Sequence, residues 1–98
     1  GYDFYFGDII SACFASGQRE KAMELASDYA SYYEERTGYL LDQKPSVYMY
    51  AEAEIANGLQ MMMQAIRVCY ENGETDLAEE INVGYNELYT RYVNVYQR

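Results

Sequence analysis

The fold of this chain is decided by CFASGQREKA at residues 13–22 and by CYENGETDLA at residues 69–78. Each stretch is predicted to end one helix, turn at a glycine and begin a second helix. Gly17 and Gly73 suit the turn because a residue without a Cβ adopts the left-handed backbone conformation at little cost. An alanine five residues after each glycine lets the second helix approach the first closely. The sequence therefore predicts two helical hairpins in tandem.

The two halves of the chain align with each other without gaps, and the alignment has one constant offset. The matched pairs are Ile10 with Ile66, Cys13 with Cys69, Gly17 with Gly73, Ala22 with Ala78, Leu25 with Ile81, Tyr29 with Tyr85 and Tyr33 with Tyr89. Such an internal repeat predicts that both hairpins fold in the same way.

The Gly-x-x-x-x-Ala step at Gly17 and Gly73, with aromatic residues further on, resembles the tetratricopeptide (TPR) family of helix-turn-helix repeats. The resemblance implies an all-α fold of four main antiparallel helices, in two tandem TPR-like hairpins with right-handed stacking. The chain departs from that family: it has no tryptophan, no clear counterpart of the proline after the second helix, and a longer period. We therefore expect TPR-like hairpins with an extended second unit.

The composition is that of a folded helical domain with an acidic surface. Half of the 98 residues are hydrophobic, 13 are tyrosine, and the formal net charge is −9. Nucleic acid is not an expected partner, because phosphate binding needs clusters of Lys and Arg. No apolar run approaches the length that spans a bilayer, so no membrane insertion is expected. At 98 residues the chain is expected to be a single domain, 1–98. It has no initiator methionine, which suggests that it is cut from a longer protein.

The predicted helices form one hairpin over about 3–41 and a second over about 46–96. The first helix runs over 3–15, the second from Gln18 to about Leu41, and the third from Pro45 or Ser46 for about 27 residues. The fourth begins with Asp76 as N-cap, in a capping box with Glu79, and runs to about Tyr96. Apolar stripes are predicted on the first helix at Phe6, Ile9, Ile10, Cys13 and Phe14, and on the fourth at Leu77, Ala78, Ile81, Tyr85, Leu88, Tyr92, Val95 and Tyr96.

Two glycines inside helices carry predictions about packing. Asn57-Gly58 is expected to kink the third helix, since glycine costs about 1 kcal/mol relative to alanine in a helix interior. The part of the third helix before Gly58 is expected to pack against the far end of the second helix. Gly84 is expected to mark a close contact of the fourth helix with a neighbour.

No catalytic residue, cofactor or metal is predicted. The chain has no histidine, which removes the commonest general base and metal ligand. Its two cysteines, one in each half of the chain, do not make a zinc site. Cys13 and Cys69 are predicted to be free thiols on apolar faces, with a disulfide or a reactive thiol as the alternatives. The acidic pairs on helix surfaces are expected to be solvated. The domain itself is therefore not expected to be an enzyme.

The candidate interaction surface comprises Tyr32, Tyr33, Tyr39, Met61, Met63 and Tyr89. Tyrosine joins a large apolar ring to a polar tip and is enriched at interfaces, and methionine adapts to varied partners. The tyrosines of the second and fourth helices are more numerous than one buried stripe can use. The alternative for each residue is ordinary packing between helices.

The tyrosine-rich hairpins and the stretch YASYYEE at 29–35 resemble the soluble C-terminal helical-repeat tail of a family of large bacterial multi-pass membrane proteins of unknown function. The membrane part of that family resembles protein O-mannosyltransferases. The resemblance implies a non-catalytic, extracytoplasmic tail and carries over no functional residue.

The sequence thus favours a protein-interaction or scaffolding module that binds a protein or peptide, or a second copy of itself as a homodimer. The alternative is a small-molecule or lipid binder with a cavity lined by Tyr and Met between the second, third and fourth helices.

Overall fold

The computed structural model describes residues 6–43 and 50–96, and these residues form four α-helices. They are α1 (Phe6–Ala15), α2 (Arg19–Asp42), α3 (Ala51–Glu71) and α4 (Thr75–Tyr96). Helices α1 and α2 form the first hairpin, and α3 and α4 form the second. The predicted all-α fold with four main helices is confirmed, and no strand occurs in the described ranges.

Each hairpin turn is closed by the same pair of backbone hydrogen bonds. In the first turn Gln18 N–H donates to Cys13 O (2.8 Å) and Gly17 N–H donates to Phe14 O (3.1 Å). The second turn repeats this pattern from Glu74 to Cys69 (2.8 Å) and from Gly73 to Tyr70 (3.2 Å). This is the Schellman arrangement, which satisfies carbonyls at a helix end and needs a left-handed residue. Gly17 and Gly73 supply it with φ values of 81° and 78°.

The predicted capping box at the start of α4 is wrong. The helix begins at Thr75, where Ala78 N–H donates to Glu74 O (3.0 Å), so Asp76 lies inside the first turn rather than at the N-cap. In the first hairpin α2 likewise begins two residues after the glycine, at Arg19. In both hairpins one residue follows the glycine and the next helix starts, which leaves no room for a later cap.

Helix α3 begins at Ala51, after a turn residue, Tyr50, whose carbonyl accepts from Glu54 N–H (3.0 Å). The predicted start at Pro45 or Ser46 lies outside the described residues, as does the start of the first helix at Asp3. Helix α3 continues through Gly58. Similarly, α2 continues through Gly38 to Asp42.

The helices are arranged around α3, which packs against α1, α2 and α4. Helix α2 also packs against α4, so the second hairpin lies against the side of the first. The core is built from aliphatic side chains and many small residues, among them Ile10, Ala26, Ala30, Ala51, Ile55, Met62, Ala65, Cys69, Ala78 and Leu88. Two residues of the predicted apolar stripes, Ile9 and Val95, are instead exposed.

Two glycines mark the places where the hairpins approach most closely. A Cβ on Gly58 would collide with the Thr37 hydroxyl and lie 3.8 Å from the Tyr33 ring. A Cβ on Gly84 would collide with the Glu34 carboxylate. The predicted close contact at Gly84 is therefore confirmed. The Gly58 contact also confirms that the first part of α3 packs against the far end of α2.

Within residues 6–43 and 50–96, three ion pairs link α2 to the second hairpin. Arg19 pairs with Glu74, Arg36 with Glu54 (2.8 Å), and Arg91 with Asp42. All three are solvent-accessible, and such pairs contribute about 0.2–1 kcal/mol each. Their main effect is on register, because they fix the first residue of α2, the last residue and Arg36 in its last third.

Candidate interaction site

The first hairpin has one side that α3 covers, and we call this side its back face. It carries Gly7 of α1 and Tyr33, Arg36 and Thr37 of α2. Gly7 N–H donates to Gln64 Oε1 (3.0 Å), Arg36 pairs with Glu54, and Tyr33 and Thr37 meet Gly58. The back face is therefore a surface on which an α-helix already lies within this chain.

The second hairpin has an equivalent back face. Its residues are those that align with the back-face residues of the first hairpin. Gly7, Tyr33, Arg36 and Thr37 correspond to Met63, Tyr89, Tyr92 and Val93. No described helix covers this face. Met63 is 48% exposed and Tyr89 is 46% exposed, whereas Gly7 and Tyr33 are buried.

The back face of the second hairpin contains a groove with a volume of about 530 Å³. It is lined by α3 and α4 together, with Ala56, Leu59, Gln60, Met63, Gln64, Arg67, Tyr85, Tyr89 and Tyr92. The Tyr85 and Tyr89 rings stack within the groove, with centroids 5.9 Å apart and planes 16° from parallel. Burial raises the pKa of the Tyr85 hydroxyl, with a smaller contribution from Tyr89. The groove is thus lined by aromatic rings.

Arg67 is the charged residue of this groove. Arg19, Arg36 and Arg91 each bind a carboxylate on a neighbouring helix. Arg67, which is exposed, makes no such ion pair with the described residues. A single cation beside an apolar surface suits a ligand that brings both apolar groups and a carboxylate.

The opposite side of each hairpin, its front face, shows the reverse pattern. The front face of the second hairpin carries Ala65, which is buried, and Gly84, Leu88 and Arg91, which meet α2 of the first hairpin. The corresponding residues of the first hairpin are Ile9, Asp28, Tyr32 and Glu35, and all four are exposed. The described helices therefore leave one front face and one back face uncovered.

The residues of the predicted interaction surface do not lie together. Tyr33 and Met61 are buried, so their assignment to an exposed surface is wrong: Tyr33 packs near Gly58, and Met61 belongs to the core. Met63 and Tyr89 share the groove of the second hairpin. Tyr32 and Tyr39 are exposed on α2. Binding by the exposed residues stays a prediction.

Sequence reasoning missed Tyr85, Tyr92 and Arg67 as members of this site. Tyr85 and Tyr92 are assigned to a buried stripe by their helical spacing, and that spacing does not distinguish a covered face from an uncovered one. The repeat supplies the missing signal, because Tyr92 stands where Arg36 binds α3. Comparing equivalent residues shows which faces lack a neighbour among the described helices.

The hollow lined by Tyr and Met lies on the outer side of α3 and α4, rather than between α2, α3 and α4 as the small-molecule interpretation expects. Within the described residues, no buried side-chain polar atom lacks a hydrogen bond, and no group of three metal-ligating side chains occurs. None of the described helices is both long and apolar enough to cross a bilayer. No family model, curated protein or solved structure matches the chain.

Both cysteines are free thiols, as predicted. Cys69 is fully buried in the core, and burial, with a smaller contribution from the charge of Glu74, raises the pKa of its thiol to about 11. A neutral buried thiol is a poor nucleophile. Cys69 thus acts as a core residue.

Proposed function

We propose that this chain is a TPR-like protein-interaction module, and that the back face of its second hairpin binds an α-helix of a protein partner. The observation that carries the proposal is the equivalence of the two back faces. The back face of the first hairpin is covered by α3, and three of the four equivalent positions of the second hairpin, Met63, Tyr89 and Tyr92, line an open groove.

The shape of the groove favours a helix. In a helical-repeat array each hairpin packs against two neighbours, the preceding unit on one side and the following unit on the other. The groove lies on the side that would receive the following unit. Here that side runs along both α3 and α4, from Ala56 to Arg67 and from Tyr85 to Tyr92. An amphipathic helix laid in such a groove buries a stripe of apolar residues.

The chemistry of the groove specifies the partner further. Tyr85, Tyr89 and Tyr92 offer large ring faces and polar tips, a combination that is enriched where protein interfaces gain most of their binding energy. Arg67 adds a guanidinium that can bind a carboxylate with two hydrogen bonds. The expected partner helix therefore has an apolar stripe with an acidic residue at its edge.

A synthetic peptide with the sequence of residues 50–71 tests the proposal. This segment contains α3, the helix that already lies on a back face, so it is the ligand whose fit the structure supports most directly. Titration of the full chain into labelled peptide, followed by fluorescence anisotropy, should give saturable binding. The double variant Met63→Glu/Tyr89→Glu should bind at least tenfold more weakly, a loss of about 1.4 kcal/mol.

Val83→Glu is the matched control, because Val83 is an exposed residue of α4 outside the groove. This control should bind like the unaltered chain. Absence of saturable binding, or equal binding by the groove variant and the control, would overturn the proposal.

A small-molecule or lipid ligand is the second candidate, and the size and apolar lining of the groove are the observations that favour it. A drug-sized ligand is normally enclosed over most of its surface. Met63 and Tyr89 are about half exposed, and a long, open groove of this kind fits a helix better than an enclosed ligand.

A further inference from the structure

We propose that the helix-bearing partner is a second copy of this chain, whose uncovered front face docks head-to-tail onto the uncovered back face of the first copy. The proposal rests on the function proposed above, since it uses the same groove. It adds the identity of the partner and the surface by which that partner binds.

The contact between the two hairpins supplies the geometry. Within one chain, the front face of the second hairpin lies on the back face of the first. Over the aligned residues the front face of the first hairpin has the same backbone plan, because the two halves share their glycine turns, the start of the helix after each turn and one gap-free alignment. The first part of α3, which contains Glu54 and Gly58, has no counterpart among the described residues of the first hairpin, so the repeated step uses the remaining contacts. Repeating the internal step once more places the first hairpin of one copy on the second hairpin of another.

The exposed apolar residues match this docking. Ile9 and Tyr32, which are 48% and 60% exposed, stand where the second hairpin has the buried residues Ala65 and Leu88. In the repeated step Asp8 comes over Met63, as Gln64 lies over Gly7 in the internal contact, and Ile9 is the adjacent residue. Ile9 and Asp28 replace Ala65 and Gly84 on the docking face, and Met63 replaces Gly7 on the receiving face. Because these side chains are larger, copies are expected to lie further apart than the two hairpins of one chain.

The charges match as well. Gln64 reaches the Gly7 N–H across the internal contact, and the residue equivalent to Gln64 is Asp8. The residue equivalent to Gly7 is Met63, one helical turn before Arg67. In the repeated step, the Asp8 carboxylate of one copy therefore comes within reach of the exposed Arg67 guanidinium of the other. This is charge complementarity between two ends of an otherwise acidic molecule.

The predicted contact joins two different faces, so it is heterologous and does not close on itself in a dimer. One copy keeps a free front face and the other a free back face. This property allows a test that separates head-to-tail docking from a symmetric dimer and from non-specific association.

Two variants each block one end. Ile9→Glu/Tyr32→Glu blocks the front face, and Met63→Glu/Tyr89→Glu blocks the back face. All four positions are exposed, and circular dichroism should show the helical content of the unaltered chain in both variants. Val83→Glu, on neither face, is the control.

Sedimentation equilibrium is the measurement. The unaltered chain and the control should increase in average mass with concentration. Each blocked variant alone should remain monomeric, and an equimolar mixture of the two should form a dimer and nothing larger. The proposal is overturned if the unaltered chain stays monomeric, if either variant alone still associates, or if the mixture does not pair.

Reversing the charges tests the register of the contact. Asp8→Arg or Arg67→Asp should each weaken association by about two- to fivefold, the range expected of an exposed ion pair. The double variant Asp8→Arg/Arg67→Asp should recover the original association constant. A double variant as weak as the sum of the singles would overturn the proposed register.

The titration with the 50–71 peptide distinguishes a failure of this inference from a failure of the proposed function. If the copies do not associate while the 50–71 peptide still binds the groove, the second copy is the wrong partner and the helix-binding groove stands. If both are absent, both proposals fall.

Discussion

Cys69 shows how one core residue links stability to pH. Its thiol is fully buried, and its pKa is raised from 9.0 to about 11, chiefly by burial. The folded chain therefore holds this proton more tightly than the unfolded chain does. The stability that results is fully present below pH 9 and is lost as the pH rises through about 11. Tyr85, whose pKa is also raised, acts in the same direction.

We expect the free energy of unfolding to fall by about 1–2 kcal/mol between pH 8 and pH 11 on account of Cys69. Urea denaturation at a series of pH values measures this change. Cys69→Ala removes the titrating group, so the variant should be less stable at pH 8 but should lose less stability at high pH. Identical pH dependence in the two proteins would contradict the assignment to Cys69.

Individual tyrosines show how far residue type alone determines a site. Tyr32 and Tyr33 are adjacent, yet Tyr32 is exposed and Tyr33 is buried near Gly58. Helical geometry requires that both cannot point the same way, but it does not say which one faces a neighbour. That information resides in the partner helix, where Gly58 leaves the space that Tyr33 and Thr37 occupy. On α3, Met61 is buried and Met63 is exposed, and their spacing alone does not say which of them faces a neighbour.

At the scale of the element, the packing of α2 on α3 depends on a residue without a side chain. Gly58 brings α3 against Thr37, and the buried threonine has little freedom to move away. Gly38, inside α2, differs because its nearest neighbour is the Leu88 side chain at 3.8 Å, an ordinary van der Waals distance. The two glycines therefore provide a matched pair.

Gly58→Ala should destabilise the chain by about 1–2 kcal/mol, because the overpacking cost exceeds the gain in helix propensity. Gly38→Ala should leave stability unchanged or raise it by about 0.5–1 kcal/mol. Thermal and urea denaturation of both variants measures the difference. Equal effects of the two substitutions would show that α2 and α3 are not in close contact at the Gly58 position.

The boundaries of the elements were predictable where the signal is local. Gly17 and Gly73 end their helices as the sequence predicts, because a positive φ is a property of one residue. The start of α4 was not predictable in this way. Asp76 and Glu79 have the spacing of a capping box, but the Schellman bonds from Glu74 and Gly73 commit the chain to a helix two residues after the glycine.

At the scale of the whole molecule, α3 holds the structure together. It packs against each of the other three helices, and α1 and α2 share much of their buried surface with it. The number and order of helices followed from the repeat. The uncovered faces could not be predicted from the repeat. The spacing of apolar residues along a helix is the same whether or not another helix covers them.

We expect the first hairpin alone, residues 1–43, to be largely unfolded, because α3, which packs on both of its helices, is absent. The full chain should unfold in one cooperative transition, as expected when repeats are stable only through their interfaces. Circular dichroism and thermal melting of both proteins measure this. A fragment that melts cooperatively near the temperature of the full chain would contradict it.

The contact between Gly58 and Thr37 also constrains how this chain can diverge. The two residues share one small space between α2 and α3. A methyl group added at position 58 therefore fits only if the side chain at position 37 becomes smaller. We therefore expect alanine at 58 to be tolerated only together with a residue smaller than threonine at 37. This steric dependence joins two positions that lie in different halves of the chain.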